Sequence, residues 1–295
     1  MKKSNLAYFL FFVLLAACTE PFTIDTKDSP PVVVIYGELT DEWKLQEVKI
    51  SCSSPYFDTV PNLGISGAEV MVTSSTNEHY VFTENDTVPG LYQSQEAFAV
   101  QSGLRYFLSV TVDFDGDGVL DRYEAETTVL PQIIPDSLSL SSIEMYGHRN
   151  YILFMHWQDP PEENYYLFKV LYQDSLLTAK LSRYIISDDA FFNGQYVKGD
   201  LYVSDDASNW DNDSEENRKR SVYLHPGDKI EAEISLIPKG YFDFISQCQQ
   251  EHQTQIPVFS GPPSNITTNL SRGAVGYFVA YRRGKTTLIF EESNW

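Results

Sequence analysis

Apolar positions recur every second residue along much of this chain. The clearest case sets Leu104, Tyr106, Leu108, Val110 and Val112 against Arg105, Ser109 and Thr111. Such alternation turns one set of side chains to a core and the other to water, as in a half-buried strand. Runs of this kind predict strands at residues 32–39, 47–52, 68–74, 79–83, 91–94, 104–112 and 123–129. Leu130-Pro131-Gln132-Ile133-Ile134-Pro135 breaks the pattern, because proline offers no amide hydrogen to a ladder and holds the residue before it extended. Seven further strands are predicted at residues 137–145, 151–158, 165–172, 195–203, 229–237, 274–281 and 286–290. One stretch changes period: Phe242, Ile245, Cys248 and His252 fall on one helical face and predict a helix over 241–252. The expected fold class is all-β, two β-sandwich domains with one short helix in the second.

The N-terminus follows a different pattern. Lys2 and Lys3 precede an apolar run over residues 6–13, and small residues close the segment at Leu15-Ala16-Ala17-Cys18. A basic start, an apolar stretch of roughly ten residues and a small-residue end describe a secretory signal, too short to anchor across a bilayer. Leucine three residues before a cysteine, with two alanines between, resembles the lipobox of bacterial lipoproteins. The resemblance implies that Cys18 takes a diacylglyceryl group and becomes the new N-terminus, so that a lipid anchor holds the chain at a membrane. The other reading is an ordinary secreted protein with a cysteine at that place. Residues 18–31 lack periodicity and hold Pro21, Pro30 and Pro31, as a spacer does. The expected division is a signal over 1–17, a tether over 18–31, an N-terminal sandwich over 32–131 and a C-terminal β-rich domain over 132–295. Gly67-Ala68-Glu69-Val70, Gly90-Leu91-Tyr92 and Gly103-Leu104-Arg105-Tyr106 make the first sandwich similar to transthyretin-like or immunoglobulin-like ones.

Charge narrows the partners. The formal net charge is -20, and loss of residues 1–17 removes two lysines and no acids, giving -22. A field of that sign repels phosphate backbones, so nucleic acid is not an expected partner, while cations and basic protein patches are attracted. With Cys18 lipidated, Cys52 and Cys248 remain in a compartment that permits disulfides. They either pair or stay as two packed thiols. Enzyme signatures are absent from the sequence: His79, His148, His156, His225 and His252 are dispersed, and no zinc-protease, serine-hydrolase or phosphate-loop motif occurs. The chain is therefore expected not to be an enzyme.

One motif carries sharper chemistry. Residues 113–124 follow the calcium-loop pattern D-x-D-x-D-G-x5-E. Calcium takes six to eight hard oxygens, which Asp113, Asp115, Asp117, the Val119 carbonyl, Asp121 and Glu124 would supply, with Gly118 at the bend. Both flanks alternate with period two, so this would be a Ca2+ loop at a hairpin tip and not an EF-hand. The plain reading is an acidic hairpin whose Asp-Gly pairs make turns. Residues 205–217 form a polar, acidic loop followed by Arg218-Lys219-Arg220, and Tyr196, Tyr202 and Trp210 beside it are candidate sugar-stacking aromatics.

An ordered set of short motifs carries a family resemblance. Ser187-Asp188-Asp189-Ala190-Phe191-Phe192-Asn193-Gly194, His225-Pro226-Gly227-Asp228-Lys229-Ile230, Tyr241-Phe242-Asp243-Phe244, Pro263-Ser264-Asn265-Ile266 and Gly273-Ala274-Val275-Gly276-Tyr277-Phe278 follow in that order. Together with the lipobox they resemble the Bacteroidetes outer-membrane lipoproteins known as domain of unknown function 4249. The resemblance implies a lipid-anchored outer-membrane protein, facing the periplasm or the cell surface, often encoded beside a TonB-dependent transporter. It implies no catalytic residues. Two functions are expected from it: an accessory lipoprotein of such a transporter or of an envelope assembly, or an independent surface module for glycans or other polymers.

Overall fold

In the computed structural model the chain is described over residues 31–53, 63–145, 148–205, 224–253 and 266–291. Cys18, the tether up to residue 30, Trp210, Asn265 and all of the acidic segment after Asp205 lie outside these residues. Residues 31–295 make up one compact unit. Its first sheet takes β1 (Val33–Thr40), β2 (Glu47–Cys52), β3 (Glu69–Ser74), β4 (His79–Glu84), β5 (Leu91–Ser94), β6 (Arg105–Val112) and β7 (Asp121–Thr128). The seven strands expected before the proline break are all present, with ends moved by one or two residues. Alternation decides what each buries: in β6, Tyr106, Leu108, Val110 and Val112 point into a core shared with Ile35, Val48, Val72 and Tyr92.

After the break come β8 (Ser137–Met145), β9 (His148–Gln158), β10 (Tyr165–Tyr172), β11 (Ser175–Leu176), β12 (Ile185–Asp188), β13 (Tyr196–Asp205), β14 (Lys229–Leu236), α1 (Lys239–Gln253), β15 (Val275–Tyr281) and β16 (Gly284–Ile289). The order β13-β9-β8 forms one sheet, and β11-β10-β14-β16, with β12 also on β10, forms another. Trp157, Met155 and Leu153 from the first of these meet Tyr166, Phe168, Val170, Ala232 and Ile234 from the second in one core. Short β11 and β12 and a 3-10 turn at Leu181–Arg183 were not expected. The helix is longer than the apolar pattern foretold, because Pro238 accepts the amides of Tyr241 and Phe242 and starts it early. Tyr241, Phe244 and Ile245 are its buried face, against Leu167, Tyr277 and Val279.

The first sheet runs β15-β1-β2-β5-β4-β3-β6-β7, so a strand from beyond residue 270 completes a sheet begun at residue 33. The β15–β1 pair is parallel while every other strand pair among the described residues is antiparallel. A parallel neighbour needs a long crossover, and here the intervening region is that crossover. Gly276 makes the pairing possible: its φ is +108°, and a Cβ there would overlap the Ile35 carbonyl oxygen. Asn269 ties the far edge back to β15, donating to the carbonyls of Glu126 and Phe278 and accepting from the Phe278 amide.

Candidate functional site

The acidic hairpin tip lies between β6 and β7, whose pairing ends at Val112 opposite Asp121. Asp113 accepts the amides of Gly116 and Gly118, Asp115 that of Asp117, and Asp117 that of Val119. Gly116 and Gly118 take positive φ of 74° and 83°, which lets the chain turn over these carboxylates. The result gathers Asp113, Asp115 and Asp117, with carboxylate oxygens within 4.8 Å of one another and all three exposed. The carboxylates of Asp121 and Glu124 are not part of this group. Asp121 is paired with Arg272 at 2.7 Å, and Glu124 lies three residues along β7, paired with Arg122 at 2.8 Å. Val119 is exposed at the tip. The arrangement offers three carboxylates to a cation, fewer than the twelve-residue pattern suggests.

A second constellation escaped the sequence reading. In β1, Ile35 and Leu39 face the first core, so period two turns Tyr36 and Glu38 to the other side. In β10, Tyr166, Phe168 and Val170 face the second core, which turns Lys169 toward β1. Lys169 Nζ donates to Glu38 Oε1 at 2.6 Å and to the Tyr281 hydroxyl at 2.8 Å. Tyr281 donates to the same carboxylate oxygen at 2.5 Å, while Tyr36 and Tyr184 donate to Oε2 at 2.8 and 3.1 Å. The Tyr36 proton is thus engaged, so Tyr241, 2.7 Å away, is the donor to Tyr36. The Lys169 ammonium also lies 4.9 Å from the Tyr184 ring centre. Both ionic side chains are largely buried, 10% exposed for Lys169 and 19% for Glu38.

Electrostatics follow from this geometry. Burial pushes the Glu38 carboxyl up, but the Lys169 ammonium and the hydroxyl donors outweigh it and lower its pKa to about 2. Burial pushes Lys169 down, and Glu38 reverses that, so the lysine is held as an ammonium. Burial, followed by the Glu38 charge, raises Tyr36, Tyr241 and Tyr281 well above the ordinary phenol range. One signal in the sequence could have found the cluster: Lys169 interrupts the otherwise apolar run Tyr165-Tyr166-Leu167-Phe168-Lys169-Val170-Leu171-Tyr172, and a charge inside a buried strand requires a partner.

Next to it, Arg283 spans the junction. Its guanidinium reaches Asp41, Glu42 and Glu233 at 3.2–3.3 Å, and Lys285 meets Glu233 at 2.7 Å. On the outer face of β3, β4 and β6 a groove of about 590 Å³ is lined by Glu69, Met71, Val81, Thr83, Thr111 and Arg122. Cys52 and Cys248 are both free, and burial raises the Cys248 thiol to about 11. The two-thiol reading holds. Tyr196 is exposed and lies beside His156, whereas the other candidate aromatics, Tyr202 and Trp210, have no described side chains.

No curated protein matches the chain. Among solved structures, the crystal structure of chicken CNTN1 FN1-FN3 domains is similar at 13% identity and a TM-score of 0.24, covering 72% of this chain and 64% of that one. The chain thus spans less than two thirds of the length of that structure. The family model for a domain of unknown function, DUF4249, matches residues 19–287, and with the match running through both β regions the chain belongs to that family of Bacteroidetes outer-membrane lipoproteins.

Proposed function

We propose that this chain is a non-enzymatic cell-envelope lipoprotein, anchored through Cys18, that docks as an accessory on a TonB-dependent outer-membrane transporter or another envelope assembly. The observation that carries this reading is the use of the buried ionic chemistry. Glu38, Lys169 and four tyrosine hydroxyls are engaged with one another at the junction of the two β regions, which suits a stiff scaffold. A lysine held as an ammonium is neither base nor nucleophile. Family membership supports the envelope setting. Confinement by a lipid raises the effective concentration of a membrane partner, so a modest interface is enough. Crosslinking in intact cells followed by affinity purification tests the proposal. Recovery of the protein alone, with no transporter enriched over a lipidated control and normal growth of a deletion strain on transporter-dependent nutrients, would sink it.

A second reading, a surface module for glycans or other polymers, is favoured by the groove beside Met71 and Arg122. It predicts retention on a glycan array that Arg122→Ala weakens. In either reading Ca2+ at Asp113, Asp115 and Asp117 serves to stiffen the hairpin tip, because it offsets the repulsion of three clustered carboxylates.

A further inference from the structure

The loop that joins β1 to β2 holds apolar side chains in water on a rigid support. Gln46 has no exposed surface, and its side chain fastens the loop from inside. Its Nε2 donates to the carbonyls of Thr40, Glu42 and Phe98 at 3.1, 3.0 and 2.7 Å, and its Oε1 accepts the Thr40 amide at 3.1 Å. The Gln46 backbone is tied to Ser94, and the Lys44 carbonyl to the Phe98 amide. On this frame Trp43 is 75% exposed and Leu45 44%. Arg283 braces the loop from its other side: its guanidinium pairs with Asp41 and Glu42, next to Trp43 in the chain, and its carbonyl accepts from Gln132.

Leaving a tryptophan in water forgoes the stabilisation that burial would give, and a fully hydrogen-bonded glutamine beneath it makes the exposure a fixed feature of the loop. The charges around it are engaged within the protein: Asp41 with Arg282 and Arg283, Glu42 with Lys44 and Arg283, Lys285 with Glu233. We propose that this loop is a docking knob, with Trp43 and, beside it on the loop, Leu45 entering an uncharged apolar socket on a protein partner in the envelope. The proposal rests on the accessory reading above and assigns it a surface. A bilayer is a poorer fit for two reasons. Membrane-surface binding uses basic side chains around the apolar ones, and those present here already face carboxylates. A fluid surface also gains nothing from a preorganised loop, whereas a socket binds a fixed side chain at lower entropic cost. Tryptophan is the residue type that most often dominates such contacts. A second copy is disfavoured at long range by the net charge of -20.

The test uses the full-length protein in its own cells, with a photoreactive phenylalanine in place of Trp43 and, as a control, in place of the exposed Phe191. The expected result is one discrete protein crosslink from position 43, stronger than from position 191 by roughly tenfold, as a hot spot at the centre of an interface requires. It should persist in cells washed with about 1 M salt, where the screening length is about 3 Å. Gln46→Ala should weaken it while the tryptophan position is unchanged. Crosslinks to lipid, or to a second copy of the chain, would overturn the assigned partner. Equal yields from positions 43 and 191, or a crosslink lost in salt, would overturn the knob. A complex that forms with no crosslink at position 43 would sink this surface and leave the accessory reading standing, whereas no complex at all would remove both. Trp43→Ser, which alters only an exposed side chain, should melt as the unaltered protein does and lose the complex.

Discussion

Replacing Lys169 by methionine tests the junction directly. The substitution keeps an unbranched side chain one atom shorter and removes the charge that lies 2.6 Å from Glu38. At an effective dielectric of 20, two unit charges at that separation attract by about 6 kcal/mol. Part of the loss is returned, because the variant no longer buries an ammonium, and Glu38 keeps its hydroxyl donors Tyr281, Tyr36 and Tyr184. The expected destabilisation is therefore about 3–5 kcal/mol, the usual cost of leaving one buried charge alone. Urea unfolding at pH 7 should show a lower midpoint with an unchanged slope. The double variant Lys169→Met with Glu38→Gln should recover much of it, since no lone charge remains. Acid provides a second reading. The folded pKa of Glu38, about 2, lies below its ordinary 4.5. Its contribution is then fully present above pH 4.5 and is lost as pH falls toward 2, about 3 kcal/mol in all. In Lys169→Met burial is no longer offset by the ammonium, which raises the carboxyl pKa, so the variant should gain relative to the parent as pH falls. A midpoint within about 0.5 kcal/mol of the parent at pH 7, or an unaltered acid profile, would refute the account of the junction.

Three further outcomes follow from the sequence and the structure. Gly276→Ala should destabilise by about 2 kcal/mol or more, because it combines a positive φ with overlap on the Ile35 carbonyl; a melting temperature equal to the parent's would contradict the close β1–β15 approach. Calcium should raise the melting temperature with half-saturation at about 10⁻⁴ to 10⁻³ M, and Asp115→Asn with Asp117→Asn should abolish the rise, whereas Glu124→Gln should barely matter, since Glu124 pairs with Arg122. Cys18→Ala should release the chain from the membrane fraction, because acyl chains supply about 0.8 kcal/mol per buried CH2; sedimentation with membranes and continued acyl labelling of that variant would refute lipidation at Cys18.

The order of polar and apolar residues by itself determined every strand but the short β11 and β12. Alternation is a local property, so Tyr106, Leu108 and Val110 declare their face without knowledge of any partner, and Phe242, Ile245, Cys248 and His252 declare a helix by their own period. Turn chemistry was legible too: the Asp-Gly pairs between Asp113 and Gly118 turn the chain over its own carboxylates. Which strands become neighbours is not a local property. The apolar run of β15 was expected in the C-terminal domain, and only the assembled structure places it in the first sheet, parallel to β1, with Phe278 and Ala280 in one core and Tyr277 and Val279 in another. The same pairing decides the junction. Glu38 and Lys169 stand 131 residues apart in the chain, and period two says only that each leaves its own core. That the two meet, and that four tyrosines close around them, depends on β1, β10, β15 and α1 converging. The calcium pattern shows the reverse limit: twelve residues fit a motif by spacing, yet Asp121 and Glu124 belong to a strand whose register and Arg partners hold them away from the tip.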